Sequence, residues 1–153
     1  MKNIVLAGII STSLLACSKE KGCMDVTADN FNVNAQEDNG NCIPSRDKFI
    51  GQYAATGTVT VNPNTTTNPS AGNFKITAYP SAPNAIQIDY FTLLLQGKVE
   101  KNKFTVIDQP LGTAIVNANG EYTVVGTDKI ITFTATITYT SGSTIYNLTC
   151  TKQ

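Results

Sequence analysis

The chain has 153 residues, 11 basic and 11 acidic side chains, a charged fraction of 14% and neither histidine nor tryptophan. That length favours a single core, and the balanced charge leaves no field to capture nucleic acid. Without histidine the commonest general base and transition-metal ligand are both missing, so the many Ser and Thr hydroxyls have no partner for nucleophilic catalysis.

The chain opens with Met1-Lys2-Asn3 and an apolar run from Ile4 to Leu15, matching a signal-peptide core and too short to span a bilayer. Leu14-Leu15-Ala16-Cys17 resembles a lipobox, the site at which bacterial lipoprotein precursors are lipidated and cleaved. The resemblance implies a signal peptide over residues 1–16, lipidation of Cys17 and a tether over 17–21. Acyl chains at about 0.8 kcal/mol per buried methylene would hold such a protein on its membrane. Ser18, where the inner-membrane retention signal has Asp, implies the outer membrane. Lys19-Glu20-Lys21 resembles the charged export signals of surface lipoproteins, and both the cell surface and the periplasmic face stay open. The competing reading is an ordinary secretory leader with a chance cysteine.

From Gly22 to Cys42 the sequence resembles a motif of surface and secreted proteins of Bacteroidota, GCxDxxAxN(F/Y)(N/D)xxAxx(D/N)(D/N)GxC. Gly22, Cys23, Asp25, Ala28, Asn30, Phe31, Asn32, Ala35, Asp38, Asn39, Gly40 and Cys42 match; Asp29 stands where many members carry a further Cys. An exported Cys23–Cys42 pair is expected to oxidise, closing a loop worth about 3 kcal/mol of unfolded-chain entropy. Asp25, Asp29, Asn30, Asn32, Asn34 and Asp38 supply oxygen donors, and the alternation of Asn30, Asn32 and Asn34 suits the start of a calcium loop. Asn41 occupies the position where a standard loop closes with an acid. The alternative is that these side chains make Asx-turns and caps around the disulfide, without metal.

From about residue 46 to 153 a β domain is expected. Ile131, Phe133, Ala135, Ile137 and Tyr139 alternate with threonines, as a half-buried antiparallel strand requires. Similar alternation runs through Tyr53 to Val61, Phe74 to Ala78 and Ile86 to Tyr90. An apolar stretch over Leu93 to Val99 precedes a turn at Lys101-Asn102 and the Phe104, Val106, Ile107 segment. A short strand at Tyr122 and Val124 follows, and the last hairpin returns through Tyr146, Leu148 and Cys150, with Cys150 a buried thiol. Asn62 to Gly72 and Tyr79 to Pro83 read as polar loops. About eight strands without helical periodicity predict an all-β antiparallel meander, closed as a small barrel or folded as a two-sheet sandwich. The order of features resembles the small lipocalin-like domains of Bacteroidota lipoproteins.

The expected function is that of a non-catalytic binding or accessory module, monomeric and anchored by its lipid, meeting a protein or glycan through the Asn62–Ser70 and Tyr79–Pro83 loops. The alternative is a lipocalin-like carrier of a small apolar ligand, lined by Tyr53, Phe74, Tyr90, Phe104, Phe133 and Tyr146. An enzyme would have to work with carboxylates alone. Asp89, Asp108 and Glu121 are too scattered to be assigned as a pair, and no catalytic residue or cofactor is assigned.

Overall fold

The computed structural model describes residues 18–63, 66–91 and 93–153. The leader and Cys17 lie outside the described residues. Two short strands, β1 (Lys21–Gly22) and β2 (Glu37–Asp38), pair in parallel within the disulfide-closed segment. A single 3₁₀ turn, Ser45–Lys48, leads into the barrel.

Eight antiparallel strands then follow: β3 (Gly51–Asn62), β4 (Thr66–Ala78), β5 (Ala85–Tyr90), β6 (Leu93–Glu100), β7 (Lys103–Leu111), β8 (Ala114–Val125), β9 (Asp128–Tyr139) and β10 (Gly142–Lys152). Each pairs with the next, and β10 returns to β3 from Ser143↔Asn62 to Lys152↔Tyr53, closing the barrel. That last pairing decides between barrel and sandwich, because it leaves no sheet to fold over another. Along β9 the residues Ile131, Phe133, Ala135 and Ile137 are buried, while the intervening threonines face outward. Their branched side chains suit a solvated strand face.

Two elements depart from the sequence expectation. Thr66 to Gly72, read as loop, is strand: β4 pairs with β3 from Gly51↔Ile76 to Val61↔Thr66. It pairs with β5 only from Phe74↔Tyr90 to Ala78↔Ile86, so among the described residues Thr66–Asn73 runs on as a free edge. Pro69 is tolerated there because an edge strand needs no donor on its open side. β8, read as a short strand at Tyr122, begins at Ala114. Its inward residues Ala114, Val116, Ala118 and Gly120 are small, which hid the alternation. Gly120 is small for a reason: a Cβ there would lie 2.2 Å from the ring of Phe104, its cross-strand partner.

The seam between β6 and β7 is closed partly by a side chain. Direct pairing ends at Lys98↔Thr105, and a register shift lies between Val106 and Gln109. That bulge turns Ile107 outward, 74% exposed. Beyond it, Gln109 Oε1 accepts from the Gln96 amide at 2.7 Å and Gln109 Nε2 donates to the Leu94 carbonyl at 2.8 Å. One primary amide thus replaces a missing peptide unit of the ladder. Asp108, at φ 47°, is held from the other side: its amide donates to Asn117 Oδ1 and its carboxylate accepts from Asn117 Nδ2.

One end of the barrel is stoppered. Phe49 is fully buried there, edge-on to Phe104 and Tyr122 with ring centroids 5.6 Å away in each case. The disulfide-closed segment docks over the same end. Lys48 Nζ meets Asp29 at 2.6 Å, Lys101 Nζ donates to the Ala28 carbonyl at 3.1 Å, and Lys101 also stands over the Phe31 ring. Arg46 Nη1 donates to the carbonyls of Tyr79, Ala82 and Ala85, tying down the β4–β5 connection. Antiparallel alternation puts the β3–β4, β5–β6, β7–β8 and β9–β10 connections at the opposite end.

Candidate functional site

The expected sites fall in three places: the disulfide-closed segment, the barrel interior and the loops. In the first, Cys23 and Cys42 form the expected disulfide, with Cα atoms 5.0 Å apart. The acidic and amide side chains between them serve the backbone. Asp25 accepts from the Thr27 amide and hydroxyl at 2.8 and 2.7 Å; these bonds hold its carboxyl below the ordinary carboxylate value. Asn32 accepts from the Asn34 amide, Asp38 from the Gly40 amide and Asn39 from the Asn41 amide. Asn30 bridges to Asn41 and Ile43, donating to one carbonyl and accepting from the other residue's amide. Asp29 is taken by Lys48. These are Asx-turns and cross-links, each of which orients an oxygen toward an N–H and away from a common centre. Among the described residues no three carboxylate or thiolate groups come together as a metal site.

The second place is the barrel interior. Tyr53, Phe74, Tyr90, Phe104 and Phe133 all point inward and are at most 1% exposed; Tyr146 is half-buried beside them. They pack on one another. Phe74 meets Phe133 at a centroid distance of 5.0 Å, Tyr90 at 5.8 Å and Tyr53 at 6.1 Å, and Phe133 meets Phe104 at 6.1 Å. Tyr90 in turn meets Tyr146 at 6.0 Å. Three of these pairs are edge-on, a favourable geometry for aromatic rings, and Phe74–Tyr90 and Phe104–Phe133 are tilted. The Tyr53 hydroxyl donates to the Phe49 carbonyl at 2.7 Å, so its polar tip is satisfied inside. The Tyr90 and Ser70 hydroxyls pair at 3.0 Å. The rings expected to line a ligand chamber thus fill the barrel centre themselves, as happens in small barrels.

Third, the two loops expected to share a binding face lie at opposite ends. The Tyr79–Pro83 loop is at the stoppered end, roofed by Arg46. Most of Asn62–Ser70 is β3 and β4 strand at the far end, with residues 64 and 65 outside the described set. The three carboxylates do not gather either: Asp108 is bound to Asn117, Glu121 lies 3.7 Å from Lys103, and Asp89 is opposite Lys75 across the β4–β5 ladder.

A feature the sequence did not suggest lies where β4 outruns β5. A groove of about 490 Å³ opens there, lined by Gln52, Gly72, Asn73, Phe74, Lys75, Asp89 and Phe91. Gln52, Lys75 and Asp89 are direct cross-strand neighbours, and all three face solvent. Phe91 is 64% exposed and has φ 53°. A bulky residue rarely adopts that conformation. Its ring contacts Tyr90 at 4.5 Å and lies over Gly72, where a Cβ would come within 2.7 Å of it. No periodicity rule could have found this site, since it depends on one strand being longer than its neighbour. Comparison with protein-family models, with curated proteins and with solved structures finds no match to this chain.

Proposed function

We propose that this chain is a non-catalytic binding module, held on the bacterial outer membrane by lipid at Cys17 and recognising its partner on the outer wall of the barrel. The observation that carries the reading is the polarity of the molecule. The N-terminal segment docks over the stoppered end through Lys48–Asp29 and Lys101–Ala28, so lipid on Cys17, a few residues before β1, would hold that end toward the membrane. The β4–β5 groove lies on the solvent-facing outer wall, beside the stretch of β4 that outruns β5, within reach of a partner. The packed interior favours recognition on the wall over carriage of an apolar ligand, and the dispersed carboxylates favour binding over catalysis. The lipobox and the Bacteroidota-type motif supply the address.

Expression of the full chain in a Gram-negative host with an alkynyl fatty acid tests the anchor. The expected result is label on the protein and recovery in the detergent phase, both lost in Cys17→Ser. An unlabelled, freely soluble wild type, or label that survives the substitution, would remove the anchor from this reading. Native mass spectrometry before and after organic extraction addresses carriage: release of a noncovalent lipid-sized mass would move recognition to the interior.

A further inference from the structure

We propose that the β4–β5 groove is a carbohydrate site, in which Phe91 is the stacking platform for a neutral sugar and Gln52, Asn73, Lys75 and Asp89 bind its hydroxyls. This inference deepens the binding-module reading and rests on it for the absence of catalysis. Phe91 is the starting point. A phenylalanine in the left-handed region, mostly exposed, is costly in backbone energy and returns little hydrophobic burial. Its ring is nevertheless held in one place by Tyr90 and by the space that Gly72 leaves. A fixed apolar face beside water suits the C–H face of a pyranose.

The surroundings of that ring supply the other half of sugar recognition. A hydroxyl donates and accepts at once, so an array of them needs both kinds of partner. Asn73 and Gln52 offer both, Lys75 donates and Asp89 accepts. None of these four side chains makes a hydrogen bond or ion pair to another described residue, although Lys75 and Asp89 are opposite each other in register. Elsewhere on the outer wall, polar neighbours do pair, as in Thr60 with Thr67, Thr134 with Asn147 and Asp108 with Asn117. One cation and one anion cancel, which selects a neutral ligand over a phosphate or a carboxylate. The groove volume of about 490 Å³ falls within the range of small-molecule sites. An extended peptide adding to the free edge of β4 is the competing occupant, and Pro69 in the middle of that edge removes a donor it would need.

The test is isothermal titration of the full chain, in a sugar-free detergent such as lauryldimethylamine oxide, with maltohexaose, cellohexaose, xylohexaose and mannohexaose. At least one is expected to bind with a Kd of about 1 mM or tighter. Phe91→Ala should weaken that binding about tenfold or more, in keeping with loss of an aromatic contact. Asp89→Asn, a surface change that leaves the fold intact, should weaken it several-fold. Binding by none of the sugars, or binding unchanged in both variants, overturns the proposal, as does saturable binding of an alternating β-forming octapeptide while the sugars stay inert. Fatty-acid labelling is independent of these titrations, so failure of the sugar site and failure of the anchor are separable.

Discussion

Cys150 illustrates how a single residue changes meaning once packed. It is fully buried on β10, and burial pushes its thiol up to about 12 from an ordinary value of 9.0. The folded state therefore holds the proton more tightly than the unfolded chain does. The stability this represents is complete below about pH 9 and is lost as pH rises toward 12, at about 1.4 kcal/mol per pH unit inside that window. Burial likewise raises the Tyr53 hydroxyl, adding to the loss at still higher pH. Thermal melting at about pH 8, 9.5 and 11 should show a falling midpoint in the wild type and a shallower fall in Cys150→Ala. A midpoint that does not move across that range would contradict the assignment. The burial of Cys150 is legible in the alternation of Tyr146, Leu148 and Cys150. The role of Arg46 is not, because the three carbonyls it binds lie in the β4–β5 connection and at the start of β5, 33 to 39 residues further along the chain.

At the scale of elements, strand lengths control where the barrel is regular and where it is interrupted. The six residues of β5 lie between a β4 of 13 and a β6 of 8. This mismatch leaves the Thr66–Asn73 edge free and produces the groove. On the other flank, the bulge in β7 leaves a gap that the Gln109 amide bridges. Both stretches carry a proline, Pro69 and Pro110, as exposed edges often do to discourage pairing with other chains. Gln109→Leu keeps the volume and removes both hydrogen bonds, leaving the Gln96 amide and Leu94 carbonyl to water. A loss of about 1–3 kcal/mol is expected from denaturant unfolding. Faster amide exchange should be confined to β6 and β7, and an unchanged midpoint would show that the seam does not depend on this side chain. The sequence legibly signals β9, with its apolar and threonine faces. It conceals β8, whose inward positions are small, Gly120 among them because the Phe104 ring occupies the space opposite it.

On the scale of the whole molecule, the disulfide-closed segment and the barrel meet through a few specific contacts. Lys48–Asp29, Lys101 with Ala28 and Phe31, and the buried Ser45 hydroxyl donating to the Thr27 carbonyl at 2.6 Å are the chief ones. The apolar interior, by contrast, is one cluster with residues from all eight strands. Reduction of Cys23–Cys42, which span 19 residues, should therefore cost the segment about 3 kcal/mol without opening the barrel. Hydrogen exchange with and without reductant is expected to show protection lost over residues 20–44 and kept in β3 to β10. Protection lost equally across both parts would mean that they fold as one unit.

Composition and period alone determined that the chain is all-β with about eight antiparallel strands, and the motif resemblance from Gly22 to Cys42 implied that Cys23 and Cys42 are a pair. Those features are local: alternation follows from the pleat, and a cysteine pair 19 residues apart closes a loop wherever the segment ends up. Closure of the barrel and filling of its interior by the aromatics were decided by tertiary structure. So were the Gln109 seam and the groove beside Phe91. Each of these depends on which strands become neighbours and on how far each outruns the next. Those relations join residues far apart in sequence, and no window along the chain contains both partners.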